Sequence, residues 1–511
     1  MTDIVICSMP LLFLDKAPGA PALLKSAVEN AGYYAVTIDL SLEFFINQCK
    51  KNVDTYNTLG CVFRPGELPS LEAVQASDQW VTDSIIQLKK LNPAIIGLSV
   101  FTNFQHRSTY LLAQAIRIHM PTVKLIAGGM GLEISTNSMS ELKDIKQIDL
   151  LKPFHQYIKE KNLVDYVVRG SGLDELITIL ETELGHRNTE IVNYSSEGVI
   201  FNTPIPNYDN YKINEYLWNQ VQSLPITGSK GCVRACTFCD IPGQFGRFKY
   251  RTGEDIAQEM LYLNKKHGIQ TFEFTDSLVN GSFKAFRQWL TIIADYNDHQ
   301  PETKKIHWFG QYICRPQSQV PNDIYELMKR SGVVNLVIGV ESGSNIVLEA
   351  MKKKITVQDV FDELALFDQY QIKAHFLMLS GFYNETPECY LDTLKFIVKC
   401  QRYLASGTIT KLSMGHPLYI NNNTYLYDAA DQLGLIIDPY DDTYWRSIAD
   451  PTNDFPRRAL NRLTTQVITD MLGVPISGQA ISNLHQMLEK LKKYKHNLQK
   501  TLDETTQVAA N

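Results

Sequence analysis

The sequence predicts an α/β protein in three parts: a doubly wound parallel sheet, a partial (β/α) barrel and a helical C-terminal extension. Three observations predict it. Short apolar runs alternate with helical patterns along most of the 511 residues, as parallel strands joined by crossover helices require. Glycines or polar residues stand just past those runs, where ligands bind in such sheets. An irregular, aromatic stretch with Pro204 and Pro206 divides the alternation into two series, as a linker or strap would.

In the first series, residues 4–7 read as a strand, 20–31 as a helix stopping at Gly32, and 35–38 as a strand closing on Asp39. Residues 95–100 form a buried strand, followed by a helix around 110–118. Residues 123–127 run into Gly128-Gly129-Met130-Gly131, and 164–168 into Arg169-Gly170-Ser171-Gly172. These loops lack the G-x-G-x-x-G spacing, so a nicotinamide cofactor is not supported. Close approach to another ligand and a plain tight turn both stay open.

In the second series, a strand at 225–229 leads into a cysteine loop, and a helix at 253–266 stops at Gly268. Strands follow at 272–274, ending at Asp276, and at 306–312, ending near Arg315. Three more lie at 333–340, ending at Glu341, at 374–379, before Ser380-Gly381, and at 409–412, before His416. Barrels of this kind gather their chemistry at strand C-terminal ends. After about Asp442 the pattern is helical; residues 481–498 carry several lysines and read as a solvated surface helix with a frayed tail. The expected domains are therefore 1–190, a linker at 191–222, the barrel at 223–440 and the extension at 441–511.

A net charge of −6 leaves no basic footprint for nucleic acid. No apolar stretch is long enough to span a membrane. The run Ile4-Val5-Ile6-Cys7 lacks the basic flank of a signal peptide, so a cytoplasmic location is expected. Of the nine cysteines, Cys7, Cys49, Cys61, Cys314, Cys389 and Cys400 are scattered and read as small buried hydrophobes. Tyr419, Tyr425, Tyr427, Tyr444 and Trp445 form an aromatic stretch that lines a pocket or packs in the core.

The other three, Cys232, Cys236 and Cys239, follow C-x-x-x-C-x-x-C. Thiolates hold iron–sulfur clusters, and a [4Fe–4S] cubane with three protein ligands keeps one iron open. An open position makes a metal site reactive rather than structural. A structural zinc site should be closed by a fourth Cys or His, and the nearest downstream histidine is His267. Three unliganded thiols are the remaining alternative.

These residues resemble the radical S-adenosylmethionine enzymes. Cys232, Cys236, Phe238 and Cys239 match the superfamily signature, and Ser229-Lys230-Gly231-Cys232 is similar to its usual lead-in. Residues 272–276, 338–344 with 347–351, and 376–386 resemble later segments of one subgroup. Ser380 stands for a usual glycine, and Phe382 shifts the usual loop there. That subgroup commonly carries an N-terminal cobalamin-binding-like, Rossmann-like domain, which residues 1–190 resemble at 18–23, 31–33, 97–100, 127–129 and 165–170. The D-x-H-x-x-G segment is absent: Asp15-Lys16-Ala17-Pro18-Gly19 has no histidine to ligate cobalt from below.

The resemblance implies a [4Fe–4S] cluster on Cys232, Cys236 and Cys239. It implies S-adenosylmethionine among Phe238, Asp276, Arg315, Glu341 and Ser342, and cobalamin among Ser99, Gly128, Gly129 and Gly170. Arg315 would pair with the methionyl carboxylate, Glu341 accept from the amino group or ribose, and Phe238 pack on adenine. Alternatively, Arg315 and Glu341 pair with each other and Phe238 is core. Reductive cleavage would yield a deoxyadenosyl radical, most simply for cobalamin-dependent methylation of an unactivated carbon. The alternatives are cobalamin-independent hydrogen abstraction, rearrangement or cross-linking and, from another class, a non-catalytic metal-binding module. Expected partners are an electron donor such as flavodoxin or ferredoxin and a small-molecule or peptide substrate.

Overall fold

The strand–helix alternation produces two main sheets, one in each of the chain's two compact units, which divide in sequence between Pro225 and Ile226. The computed structural model describes residues 2–471, apart from 12–13, 66, 140–145, 147–148, 151, 171, 188–198, 218–220, 416 and 439–443. Ser171, His416, Asp442 and the lysine-bearing segment 481–498 therefore lie outside the described residues.

The first unit holds β1 (Thr2–Ser8), β2 (Ala35–Asp39), β3 (Pro93–Ser99), β4 (Lys124–Gly128) and β5 (Tyr166–Val168). They form one parallel sheet in the order β2-β1-β3-β4-β5. Every residue of β1 is buried, as expected of a central strand covered on both faces. The order reverses between β1 and β3, where Ser8 stands opposite Ser99; this is the switch point at which open sheets bind ligands. Between β2 and β3 lie three helices, Leu40–Asn47, Val53–Leu59 and Leu71–Leu91, for which the sequence reading has no counterpart. They close over an aromatic cluster, Phe63 meeting Phe44 at 5.3 Å and Trp80 at 5.5 Å, both edge-on.

Residues 201–217 belong to this unit as a strap. Tyr208 and Tyr216 are buried. The Tyr216 hydroxyl donates to Asp39 at 2.6 Å, while the other Asp39 oxygen caps the helix Leu40–Asn47 through the N–H groups of Ser41 and Leu42. Burial pushes the Asp39 carboxyl up to about 6 against the pull of these donors. Tyr216→Phe should cost about 1.5–3 kcal/mol, the net worth of a hydrogen bond to a carboxylate. Urea unfolding of the full chain measures this, and an unchanged midpoint refutes the strap's contribution.

The second unit's strands are β6 (Ser223–Ile226), β7 (Ser229–Lys230), β8 (Lys249–Tyr250), β9 (Thr271–Phe274), β10 (His307–Tyr312), β11 (Val333–Glu341), β12 (Ala374–Met378), β13 (Ile409–Met414), β14 (Leu435–Ile437) and β15 (Trp445–Ser447). Its main sheet runs in sequential order, β6-β9-β10-β11-β12-β13, with β9 to β13 parallel. Right-handed crossovers in sequential order put every helix on one face, which gives a partial barrel. On that face Phe274, Trp308, Ile338, Phe376 and Leu412 are buried, with Phe274 stacked 4.9 Å from Trp289 of the helix Phe283–Asp298. The opposite face is half-exposed and more polar.

The C-terminal part is not helical from its start. β15 pairs antiparallel with β14, and only then comes the helix Phe455–Met471. Arg458 of that helix lies 4.0 Å over the Trp445 ring and donates to the Trp445 and Asn453 carbonyls. A Cβ on Gly381 would sit 2.2 Å from the Arg458 side chain, so only glycine fits after β12. Trp445 is thus core, whereas Tyr425 and Tyr427 are exposed. All nine cysteines are free; of the scattered six, all but half-buried Cys61 are buried. No helix among the described residues is long and apolar enough to cross a membrane.

Candidate active site

The three motif cysteines lie on the loop between β7 and β8, which pair antiparallel with Ser229 opposite Tyr250. Three anchors set that loop. Asp276, buried past the end of β9, accepts the Gly228 N–H at 2.8 Å. Arg251 donates its N–H to the Gly228 carbonyl at 2.8 Å and its guanidinium to Glu259 at 2.5 Å, both side chains 2% exposed. Thr237 donates its N–H to the Met351 carbonyl and its hydroxyl to that of Ala350. The loop is therefore held at the strand ends without any metal.

Cys232, Cys236 and Cys239 are all partly exposed and unpaired. Burial raises the Cys236 thiol, which nearby Lys353 pulls down, and pushes Cys239 up to about 11. Metal-free thiols of this kind stay protonated near neutral pH, so loading would release protons. Among the described residues no three His, Cys, Asp or Glu side chains gather tightly enough to hold one metal ion.

Around the loop stand the other predicted residues. Arg315, just past β10, donates from Nη2 to the Asn280 carbonyl at 3.1 Å and lies 5.1 Å from the Phe283 ring. Its Nε is buried with no hydrogen-bond partner. Burial and neighbouring Arg234 lower its pKa. A buried guanidinium with an orphaned donor fits a carboxylate from outside the chain. Glu341 ends β11 with φ of +72°, and its side chain folds back over Gly339, where a Cβ would lie 2.3 Å from Glu341 Oε1. There it meets Lys353 at 3.3 Å. Arg315 and Glu341 thus take separate partners instead of pairing with each other.

Ser342 is fully buried, and its hydroxyl is engaged with Thr393 at 3.2 Å and the Ser344 N–H at 3.1 Å. Asp276 is likewise committed to the loop, its carboxyl pushed up to about 7 by burial. Phe238 is half-buried and meets Phe382 edge-on at 6.4 Å. Two cations escaped the sequence reading. Arg234, inside the motif, donates to the Lys354 and Cys314 carbonyls. Lys353 has a side chain only 12% exposed; burial opposes its charge, but Glu341 and Cys236 keep its pKa raised. The run Lys352-Lys353-Lys354 at a helix end was the available signal.

In the first unit, Ser99, Gly128, Gly129 and Gly170 all lie at strand C-terminal ends. Gly129 is there for packing: a Cβ would lie 2.2 Å from the Val100 carbonyl oxygen. Gly170, with φ of +71°, has nothing within 4 Å of such a Cβ. Exposed Phe101, Phe104 and Met130 follow β3 and β4.

Residues 226–397 match the family model of the Radical SAM superfamily. The chain is 25% identical over 360 residues to an uncharacterized methyltransferase of Pyrococcus horikoshii, covering 69% of this chain and 74% of that one. It is also 25% identical over 256 residues to the hopanoid C-2 methylase of Rhodopseudomonas palustris, covering 49% and 46%. Among solved structures it is similar to the cobalamin-dependent S-adenosylmethionine radical enzyme OxsB, with a TM-score of 0.59 and 17% identity over 98% of this chain and 72% of that one. It is also similar to the radical S-adenosylmethionine methyltransferase TsrM of Kitasatospora setae, with a TM-score of 0.57 and 16% identity over 86% and 79%. At these identities the structural likeness is one of fold. Residues 226–397, within the second unit, carry a radical S-adenosylmethionine domain. That family's cofactors are a [4Fe–4S] cluster and S-adenosylmethionine.

Proposed function

We propose that the chain is a cobalamin-dependent radical S-adenosylmethionine methyltransferase acting on an unactivated carbon. The observation that carries the reading is the orphaned, buried Nε of Arg315 beside a three-cysteine loop fixed at the barrel's strand ends. The C-terminal strand ends of the first unit's sheet, where Gly170 has nothing within 4 Å of a Cβ placed on it and Phe101, Phe104 and Met130 are exposed, support the cobalamin part. When bound, the cluster and S-adenosylmethionine supply one-electron cleavage to a deoxyadenosyl radical, and cobalamin supplies a methyl group.

The chain's own residues would bind and orient. Cys232, Cys236 and Cys239 would hold three irons and leave the fourth open. Arg315 would take the methionyl carboxylate on its free Nε. Glu341 would turn from Lys353 to the amino group or ribose, and Phe238 would cover adenine. Residues 15–19 would offer a bound cobalamin no histidine. Lys230, Arg234, Arg247, Lys249, Lys352 and Lys354 flank the cysteine loop in sequence or contact. In a chain of net charge −6, that local excess favours an acidic one-electron donor such as flavodoxin or ferredoxin, acting in the cytoplasm.

Anaerobic reconstitution with hydroxocobalamin, followed by gel filtration, tests the reading. Cobalamin absorbance should co-elute with the protein, and turnover should give S-adenosylhomocysteine beside deoxyadenosine. Deoxyadenosine alone, without retained cobalamin, would replace methyl transfer with hydrogen abstraction, rearrangement or cross-linking.

A further inference from the structure

Parallel strands covered on both faces read as near-continuous apolar runs. The inner face of the barrel sheet departs from this at Glu273 on β9, His307 and Gln311 on β10, Asn335 on β11, His375 on β12, and Lys411 and Ser413 on β13. Register lines three of these up in a row: Gln311 stands beside Val337, Val337 beside His375, and His375 beside Lys411. Ser413 is two residues along β13 and so shares the face. Its hydroxyl lies 2.8 Å from His375 Nε2.

The placement of Lys411 depends on one irregularity. Ala374 pairs with Ile409, but His375 pairs with Lys411, which leaves Thr410 as an extra residue. Without that shift Thr410 would oppose His375, and Lys411 would turn outward beneath the helices, since a one-residue slip reverses every side chain. Such bulges re-aim side chains beside active sites.

Among the described residues Lys411 has no carboxylate partner and the Gln311 amide makes no hydrogen bond. Burial and the nearby ammonium of Lys411 lower the His375 pKa to about 4, so the imidazole is a neutral hydrogen-bonding group and not a second cation. One ammonium among neutral donors matches the single charge of a carboxylate; a phosphate dianion favours paired or bidentate cations.

We propose that Lys411 and Ser413 form a subsite for the carboxylate of a small organic acid substrate, with His375 as the positioning residue that orients Ser413. Gln311, about 14 Å along the row at one strand spacing per step, meets a polar group of the same substrate nearer the cysteine loop. The assignment rests on the reading of the barrel as a radical reaction site.

The test uses the full chain, anaerobically reconstituted and labelled with ¹⁵N-histidine, with the His375 resonance assigned from His375→Gln. Sodium hexanoate, against sodium chloride at equal ionic strength, should raise the His375 pKa saturably by about one unit, because a bound anion cancels the Lys411 charge. Hexylammonium chloride should leave it unmoved. In Lys411→Met the His375 pKa should start higher and ignore hexanoate, whereas Lys411→Arg should respond like the parent. Hexanoate acting no differently from chloride, or acting equally on Lys411→Met, overturns the proposal. Inorganic phosphate outdoing hexanoate overturns the carboxylate class. Cluster absorbance on the same samples separates the two readings: a chain that binds hexanoate but takes no cluster keeps the carboxylate site and refutes the radical chemistry.

Discussion

Cys239→Ala should yield a folded protein that neither holds a full cluster nor forms deoxyadenosine above the level of metal-free protein. The chemistry needs an iron open to S-adenosylmethionine and three thiolates to retain the cluster, so loss of one ligand removes both. The fold should survive, because Asp276, Arg251 and Thr237 anchor the loop through bonds that involve no cysteine. Circular dichroism of the variant should therefore match the parent while its iron-to-protein ratio and visible absorbance fall. The informative control is Cys314→Ala. Cys314 is buried beside Arg315, and its carbonyl accepts from Arg234, so a thiol close to the loop exists outside the motif. Cys314→Ala should keep the cluster. A cluster lost with Cys314 and retained with Cys239→Ala would make the ligand set, and with it the open iron, wrong.

The parts of this site that lie within one short segment were legible from the sequence. The cysteine spacing is local, and the strand-end positions of Asp276, Arg315 and Glu341 follow from apolar runs that stop where ligands bind. Both sheets followed from the same runs. The three helices between β2 and β3 escaped because Leu71–Leu91 mixes buried Trp80 and Ile85 with many exposed polar positions, which blurs an apolar stripe. Partnerships were not legible, because they depend on which strand ends come together. Glu341 meets Lys353 and not Arg315 through a positive φ and a register shift after Gly339, neither of which shows in composition. Ser342 and Asp276 turned out to be engaged within the loops, since a polar side chain at a strand end serves its own turn as readily as a ligand. Lys411 faces inward only because of Thr410, and alternation counted from Ile409 would have put it outside.

Glu363→Leu should destabilise the second unit by about 2–6 kcal/mol, because it orphans two buried donors at about 1–3 kcal/mol each. Glu363, on the helix Val357–Tyr370, is fully buried and accepts the Tyr312 and Tyr325 hydroxyls, both at 2.8 Å, and the Arg315 N–H at 3.3 Å. The Tyr325 hydroxyl can still donate to Gln317 Oε1 at 3.2 Å; Tyr312 and the Arg315 N–H lose their acceptor. Burial pushes the Glu363 carboxyl from an ordinary 4.5 up to about 7, against the pull of the two tyrosines. Between those values the folded chain keeps a proton that the unfolded chain has released. This contribution is therefore full below pH 4.5, is lost as pH rises through 7, and amounts to about 3 kcal/mol in total. Glu363→Gln removes that dependence: its amide oxygen can face the Arg315 N–H while its NH₂ donates to a tyrosine oxygen. Thermal melts should show the parent losing stability from pH 5 to pH 8 more steeply than Glu363→Gln, although Asp39, Asp276 and Glu385, also raised by burial, bend both curves the same way. Equal slopes would mean that Glu363 titrates near its ordinary value. Because the network fixes the Arg315 backbone, Glu363→Leu should also raise the KM for S-adenosylmethionine cleavage, and Glu363→Gln should restore it. A KM that tracks stability alone in both variants would reduce Glu363 to a core residue.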